Sequence, residues 1–272
     1  MLPVTRIPSP HAPACNTLYV LHGILGSRRN WRTFARRIAE ACAGWEVHTL
    51  DLPEHGDAPH QPGPHTLDSM VEAIAAHADA GTPPTAILGH SFGGKVAAAY
   101  GHRFGRALKA CIVVDSAPES PSTVPAQEGL VPRVIHTLAG CPGPFAERSD
   151  ARAALRQANL PEAIVAWLLT ALKRDGSGWR WSFHLDAMAP LLASYRATDL
   201  WAMLEQGGEL RVPYTVICAG KEGRWTPTHL DRLATLQREG RVRHHLFEDA
   251  GHWVHVDKPG RLLQVIAETL SV

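Results

Sequence analysis

The stretch LGHSFGG occupies residues 88–94 and follows directly on the apolar run TAIL at residues 85–88. It places Ser91 between glycines, and glycine weakens the interior of a helix or a strand. These glycines must therefore serve a tight turn. The next residues, GKVAAAYGHRF at 94–104, carry small side chains at helical spacing. We predict a strand that ends in a sharp turn at Ser91 and a helix that begins directly after it.

The five residues GHSFG fit the pattern Gly-x-Ser-x-Gly, in which a serine sits on a strained strand-to-helix turn. The turn is crowded, so its flanking positions need glycine, and the hydroxyl is exposed at the carboxyl end of the sheet. An ordinary glycine-rich turn would fit the letters alone. The apolar strand before the motif and the small-residue helix after it match the required context, and Ser91 is therefore predicted to be a nucleophile.

Apolar runs alternate with helical patterns along most of the chain. The predicted strands are NTLYVL (16–21), WEVHTLDL (45–52), TAILGHS (85–91), ALKACIVVDSAP (107–118), VPYTVICAG (212–220) and VRHHLFEDAGH (242–252). Helical patterns separate them, and RLLQVIAETL (261–270) predicts a last helix. This alternation predicts a mostly parallel central sheet with helices on both faces. Residues 119–205 show helical patterns and no strong strand, so we predict a helical cap there, inserted into a core formed by 1–118 and 206–272.

A nucleophilic serine needs a base to take its proton and an acid to orient that base. His252 lies in DAGHWVHVDKP (249–259), the loop after the last predicted strand, and is favoured over its neighbour His255. Two positions are open for the acid. One is Asp115 at the end of VVDSAP, and the other is Glu222 in the loop GKEGRW. Asp249 is too near His252 in sequence to orient it easily.

Acyl transfer also needs hydrogen-bond donors for the oxyanion. The loop HGILGS at 22–27 follows an early strand, and the backbone NH groups of Ile24 and Phe92 would face the substrate carbonyl oxygen. A plain turn at the end of a strand would fit the same letters. Both donors are backbone groups, so their side chains carry little information.

Composition excludes several classes of partner. The 272 residues are 45% apolar, and the net charge of +1 predicts neither a nucleic acid nor an anionic membrane as partner. The five scattered cysteines lack CxxC spacing, which favours free thiols over disulfides or a zinc site. No run of about 18 apolar residues occurs, and MLPVTRIPSPHAPAC is a poor signal peptide. We expect a cytoplasmic protein without membrane insertion.

HGILGS, LDLPEHGDAP, GHSFGG, VVDSAP, WRWSFHLDAM and DAGHWVHVDKP together resemble the α/β-hydrolase superfamily over nearly the whole chain. The pairing of VVDSAP with the loop GKEGRW is similar to the YbfF-type esterases and their mitochondrial abhydrolase-domain relatives. The resemblance implies a triad of Ser91, Asp115 and His252, oxyanion donors at Ile24 and Phe92, and no metal or cofactor. Two positions depart from the pattern, namely Glu54 in PEHG and Ser116 in VVDSAP.

The resulting expectation is a serine hydrolase of small to medium acyl esters or thioesters. Trp181, Trp225 and Trp253 are candidates for the substrate pocket, although packing in the protein interior explains each tryptophan equally well. The same triad also serves C–C bond hydrolases and eliminases, in which Arg28, Arg29 and Lys95 would bind an anionic substrate. A third possibility is a receptor without catalysis. The sequence does not indicate the oligomeric state.

Overall fold

The computed structural model describes residues 1–11, 13–118, 129–205 and 212–271. The strands within these ranges are β1 (Val4–Ile7), β2 (Asn16–Leu21), β3 (Trp45–Leu50), β4 (Ala86–His90), β5 (Ala110–Val114), β6 (Leu172–Asp175), β7 (Gly178–Trp181), β8 (Tyr214–Ala219) and β9 (Val242–Phe247). The helices are α1 (Arg32–Ala41), α2 (Leu67–Asp79), α3 (Phe92–Phe104), α4 (Leu130–Gly140), α5 (Arg148–Gln157), α6 (Glu162–Leu169), α7 (Leu185–Ala197), α8 (Leu200–Glu205), α9 (Pro227–Arg238), α10 (Val254–Asp257) and α11 (Pro259–Leu270). None of these helices, as described, is both long and apolar enough to cross a bilayer.

The central sheet has seven strands in the order β1-β3-β2-β4-β5-β8-β9. All neighbours are parallel except β1, which runs antiparallel to β3 at the edge. The mostly parallel sheet predicted from the alternating patterns is confirmed. Strand β1 was not predicted, because its four residues are too few for a periodic pattern to stand out.

Helices cover both faces of this sheet. Leu18 and Val20 of β2 pack into one apolar cluster with α1 and α11, whereas Tyr19 and Leu21 pack into another with α2 and α3. Successive side chains of a strand point to opposite faces, so a strand buried on both sides reads as a continuous apolar run. The sheet is thereby fixed between two layers, and its carboxyl edge carries the loops that follow β2, β4, β5, β8 and β9.

The segment between β5 and β8, described over residues 129–205, contains helices α4 to α8 and a hairpin. The prediction that this region lacks a strand is wrong, because β6 and β7 pair antiparallel across a turn at Gly176 and Ser177. Each strand has only four residues, and Lys173 and Arg174 interrupt the apolar pattern, so the region reads as helical. The division into core and cap stays a prediction, since its boundaries at 119 and 206 fall outside the described residues.

Candidate active site

Ser91 lies on a strained turn between β4 and α3. Its backbone has φ 54° and ψ −118°, in the left-handed half of conformational space that residues other than glycine rarely adopt. A Cβ at Gly89 would lie 1.9 Å from the carbonyl oxygen of Gly93, and a Cβ at Gly93 would lie 2.5 Å from that of His22. No side chain fits at either position. The two glycines of the motif are therefore required by close backbone packing around the serine.

Ser91, His252 and Asp115 form a continuous chain of hydrogen bonds. The Oγ of Ser91 lies 3.0 Å from Nε2 of His252, and Nδ1 of His252 lies 2.6 Å from Oδ2 of Asp115. A carboxylate only accepts hydrogen bonds, so Asp115 holds the imidazole proton on Nδ1. The lone pair of Nε2 then faces the hydroxyl of Ser91. This is the tautomer that a general base requires.

The sheet order brings these three residues together. Asp115 directly follows β5, the strand beside β4, and its NH donates to the carbonyl of Ile217 on β8. The NH of Ser91 donates to the carbonyl of Val114. His252 enters from the loop after β9 and reaches across β8. The carboxyl ends of neighbouring parallel strands thus meet at one edge of the sheet.

The end of β8 and the loop after it support the carboxylate of Asp115. Oδ1 of Asp115 accepts hydrogen bonds from the NH of Ala219 at 3.0 Å and from the indole Nε1 of Trp225 at 2.8 Å. Asp115 and Trp225 are both buried. Two donors and the His252 imidazole stabilise the buried negative charge, which would otherwise be costly. Trp225 therefore contacts Asp115 and is absent from the described lining of the adjacent cavity.

The backbone of His252 is held from both sides by residues whose roles the sequence does not reveal. Oε1 of Glu222 accepts a hydrogen bond from the NH of His252 at 3.0 Å. Nε2 of His90 donates to the carbonyl of His252 over 2.8 Å. Glu222, the second candidate for the acid, contacts the main chain of His252, while Asp115 contacts the imidazole. For His90, the sequence shows only that it directly precedes Ser91, and this position indicates no more than a packing or hydrogen-bonding role.

His255, the second candidate for the base, is half-buried and packs against an aromatic side chain. Its ring stacks on Trp31 with a centroid separation of 4.4 Å. Burial lowers the pKa of His255 to about 4, so the ring is neutral at physiological pH. The Ser91 hydroxyl is hydrogen-bonded to His252, whereas His255 lines the wall of the neighbouring cavity.

The loop after β2 packs directly on the turn that carries Ser91. A Cβ at Gly23 would lie 3.4 Å from Cβ of Ser91. Nδ1 of His22 donates to the carbonyl of Gly23 at 2.8 Å, and Nε2 accepts from the NH of Leu52 at 3.1 Å. These hydrogen bonds hold the loop in place beside Ser91. Ile24 follows in this loop, and Phe92 begins α3, where the first NH groups of a helix have no acceptor within the helix.

Buried histidines around this site are expected to make the fold sensitive to acid. Burial lowers the pKa of His22 to about 4, that of His255 to about 4, and that of His90 well below its usual value of 6.5. As the pH falls, these histidines therefore take up protons in the unfolded chain at a higher pH than in the folded chain. The free energy of unfolding should fall as the pH drops from about 6.5 towards 4, by about 1.4 kcal/mol per pH unit for each histidine. Urea unfolding should show a lower midpoint at pH 5 than at pH 7, and an unchanged midpoint would contradict this account.

A cavity of about 310 Å³ opens beside Ser91 and His252. Helices α4 and α6 of the inserted segment contribute the apolar side chains of Val134, Ile164 and Trp167 to its wall. Trp253 also lines it, with its ring 5.8 Å from that of Trp167. The inserted segment thus covers Ser91 with apolar surface.

Trp181 lies away from this cavity. Its indole stacks on Phe183 at 5.8 Å and donates to the carbonyl of Cys141 at 3.0 Å. The side chain is buried between the hairpin and the neighbouring helices. Three tryptophans were predicted to line a pocket. The structure places Trp253 in the cavity wall, Trp225 in contact with Asp115, and Trp181 in the interior of the inserted segment.

The cations suggested as ligands for an anionic substrate have other partners. Lys95 is buried and donates to the carbonyls of Tyr195 and Thr198. Arg28 pairs with a buried aspartate after β3 and with Asp57, and Arg29 also reaches Asp57. Within the described lining of the cavity, Arg224 is the one lysine or arginine, and its guanidinium pairs with Glu222 at 3.0 Å.

The family model of the alpha/beta hydrolase fold matches residues 16–259. The chain belongs to the α/β-hydrolase family. Its curated relatives include the mouse (Mus musculus) sn-1-specific diacylglycerol lipase ABHD11, which is 26% identical over 265 residues covering 92% of this chain and 80% of the lipase. The pimeloyl-[acyl-carrier protein] methyl ester esterase of Neisseria meningitidis is 26% identical over 222 residues, which cover 79% of this chain and 78% of the esterase.

A solved structure, described as a marine microorganism esterase, superposes on this α/β hydrolase with a TM-score of 0.82. It is 21% identical, and the match covers 98% of each chain. At this identity the likeness shows the fold. The two curated relatives named above are a lipase and an esterase, and together with the family they support a hydrolytic function for this α/β hydrolase.

Proposed function

We propose that this α/β hydrolase is a serine hydrolase that cleaves small to medium acyl esters or thioesters through an acyl-enzyme on Ser91. The observation that carries the proposal is the unbroken hydrogen-bond chain from Ser91 through His252 to Asp115. The lipase and esterase relatives support the same class of bond. In this proposal His252 is the base and Asp115 orients it.

The reaction would run in two halves. The Oγ of Ser91 attacks the carbonyl carbon while its proton moves to Nε2 of His252. The NH groups of Ile24 and Phe92 stabilise the oxyanion, and the amino end of α3 adds a favourable dipole. The carbonyl re-forms, and the alcohol or thiol leaves with the proton from His252. A water then attacks the acyl-enzyme with His252 as base, and the carboxylic acid departs from a regenerated Ser91.

We further propose that the inserted segment is a cap whose apolar wall receives the acyl chain. The cavity volume of about 310 Å³ lies at the lower end of the roughly 300–1,000 Å³ usual for small-molecule sites. Val134, Ile164, Trp167 and Trp253 would contact the chain, since they line the cavity beside the nucleophile. A cavity of this size favours short and medium acyl groups over long ones.

The receptor hypothesis would gain support if Asp115 failed to reach His252. Oδ2 of Asp115 lies 2.6 Å from Nδ1 of His252, which argues against this hypothesis. The C–C hydrolase and eliminase hypotheses relied on cations near the mouth, and Arg28 and Lys95 have protein partners. No observation favours these readings over ester hydrolysis.

The chain-length profile of p-nitrophenyl ester hydrolysis tests the proposal. We expect turnover of acetate, butyrate and octanoate esters and a steep fall at palmitate, because the cavity cannot enclose the longest chain. Ser91→Ala is the control for hydrolysis at other sites. Well-folded protein that turns over none of these esters, or that hydrolyses them equally after Ser91→Ala, would contradict the proposed function.

A further inference from the structure

A buried carboxylate lies outside the proposed catalytic site. Glu54, in the segment PEHG that departs from the family pattern, has a fully buried side chain and a left-handed backbone with φ 68°. Its Oε1 accepts a hydrogen bond from the NH of Gln61 at 2.9 Å. The ion-pair partners of Glu54 among the described residues are imidazoles, those of His60 and His65. A buried carboxylate is costly unless it is paired or coordinates a metal ion.

Two histidines from distant parts of the chain converge on this carboxylate. Nδ1 of His60 lies 2.6 Å from Oε2 of Glu54. His184, which directly precedes α7, stacks near His60 with a centroid separation of 4.6 Å. The ligand atoms that Glu54, His60 and His184 offer all lie within 4.8 Å of one another. A tetrahedral zinc ion with bonds of about 2.1 Å places its ligand atoms roughly 3.4 Å apart, which small side-chain rotations reach here.

Each histidine has an oxygen atom near it that could act as an outer partner. Nε2 of His60 lies 3.6 Å from Oδ2 of Asp186, which is within ion-pair range but beyond hydrogen-bond distance, and the carbonyl of Ala58 lies near the ring of His184. Histidines that bind metals usually donate their second ring NH to a carboxylate or a backbone carbonyl. An acceptor of this kind therefore lies near each of the two rings.

We propose that Glu54, His60 and His184 bind one divalent zinc-class cation. Two imidazole nitrogens and one carboxylate oxygen form a zinc-type ligand set, and a water completes the tetrahedron. The His60 side chain is 44% exposed, which leaves an entry path for the ion. The cation would offset the desolvation cost of the buried carboxylate.

The site would join the inserted segment to the core. Glu54 and His60 lie in the connection between β3 and α2, whereas His184 lies at the start of α7. The NH of His184 also donates to the carbonyl of Glu54 at 2.9 Å. The ion would therefore link the start of α7 in the inserted segment to the connection between β3 and α2. Its role would be structural, since Ser91 and His252 complete their hydrogen bonds without it. No metal was expected from the sequence, because ligands this far apart form no recognisable spacing.

Calorimetric titration of chelator-treated protein with zinc chloride at neutral pH tests the proposal. We expect one ion per chain, and at free zinc about 100 times Kd a rise of roughly 5 °C in the unfolding midpoint. Glu54→Gln keeps the shape and removes the charge, and His184→Ala removes a ligand from the other segment. His136→Ala is the matched control, because His136 is exposed in the same inserted segment.

Loss of the zinc-dependent rise in Glu54→Gln and in His184→Ala, with the rise retained in His136→Ala, would support the site. If Glu54→Gln does not fold, the comparison of His184→Ala with His136→Ala decides alone. No binding by the stripped wild-type chain would overturn the proposal. Binding that persists in the ligand variants, or that His136→Ala weakens equally, would also overturn it. None of these readouts depends on catalysis, so they are independent of the proposed hydrolase activity.

Discussion

Ser91→Ala is expected to lower kcat for a p-nitrophenyl ester by at least about 10⁴-fold, because no covalent intermediate can form. The residual rate would come from the oxyanion donors and substrate binding alone. Alanine keeps the backbone that already holds Ser91 at φ 54°, so the fold should survive the change. Steady-state kinetics and a thermal unfolding curve on the same preparation check both halves of this expectation.

Residues that act as one unit have effects that do not add. Once Ser91 is alanine, a further change at His252 should cost little, since there is no proton left for it to accept. The double variant Ser91→Ala/His252→Ala should therefore have nearly the kcat of Ser91→Ala. A second large loss in the double variant would mean that His252 acts on the substrate independently of Ser91, and the proposed mechanism would then be wrong.

Asp115→Asn is expected to lower kcat/KM by about 10⁴-fold with the fold intact. The amide oxygen of asparagine would keep the hydrogen bonds from Ala219 and Trp225, which turns its NH₂ group towards His252. Nδ1 of His252 would then have to accept, and its proton would move to Nε2. An Nε2 that carries a proton cannot take the proton of Ser91.

Glu222→Gln is the matched control for this experiment. Glutamine can still accept the hydrogen bond from the NH of His252, so we expect a loss of less than about tenfold, the value of one ordinary hydrogen bond. The two variants are compared by kcat/KM and by urea unfolding midpoint. If Glu222→Gln lost the activity and Asp115→Asn kept it, Glu222 would be the acid, and the role proposed for Asp115 would be wrong.

The turn at Ser91 could be predicted from the sequence because its geometry demands particular residues. Positions 89 and 93 leave no room for a side chain and must be glycine, so the motif can be recognised in the sequence. The strands of the sheet were predictable for a related reason. A strand buried on both faces reads as a continuous apolar run, as LYVL (18–21) of β2 does, and the alternation with helices then indicates the class of fold.

The surroundings of the candidate acid could not be predicted, because they depend on contacts between distant segments. Asp115 and Glu222 are both carboxylates at the carboxyl ends of neighbouring strands. Which of them meets the imidazole depends on how the loop after β9 crosses β8. Trp225 was expected in the substrate pocket, yet its indole NH is the polar handle that a buried carboxylate needs. Local patterns carry no information about that pairing.

The inserted segment was harder to predict for a different reason. Its hairpin strands are four residues long, and packing against neighbours, rather than any periodic pattern, stabilises them. Phe145 pairs with Trp179 on β7 as an isolated bridge, a contact between residues 34 positions apart. Trp181 stacks inside this unit rather than in the cavity. The sequence indicates that aromatic side chains in such a segment are buried, but only the structure shows which surface each of them packs against.

Fluorophosphonate labelling followed by peptide mapping tests the central claim most directly. A fluorophosphonate reacts with a serine hydroxyl that a neighbouring base activates, and the adduct can be assigned to one residue by mass spectrometry. We predict a single adduct per chain, located on Ser91, absent from Ser91→Ala and much slower to form in Asp115→Asn. A folded wild-type chain that gains no adduct, or that gains it on another residue, would contradict the account.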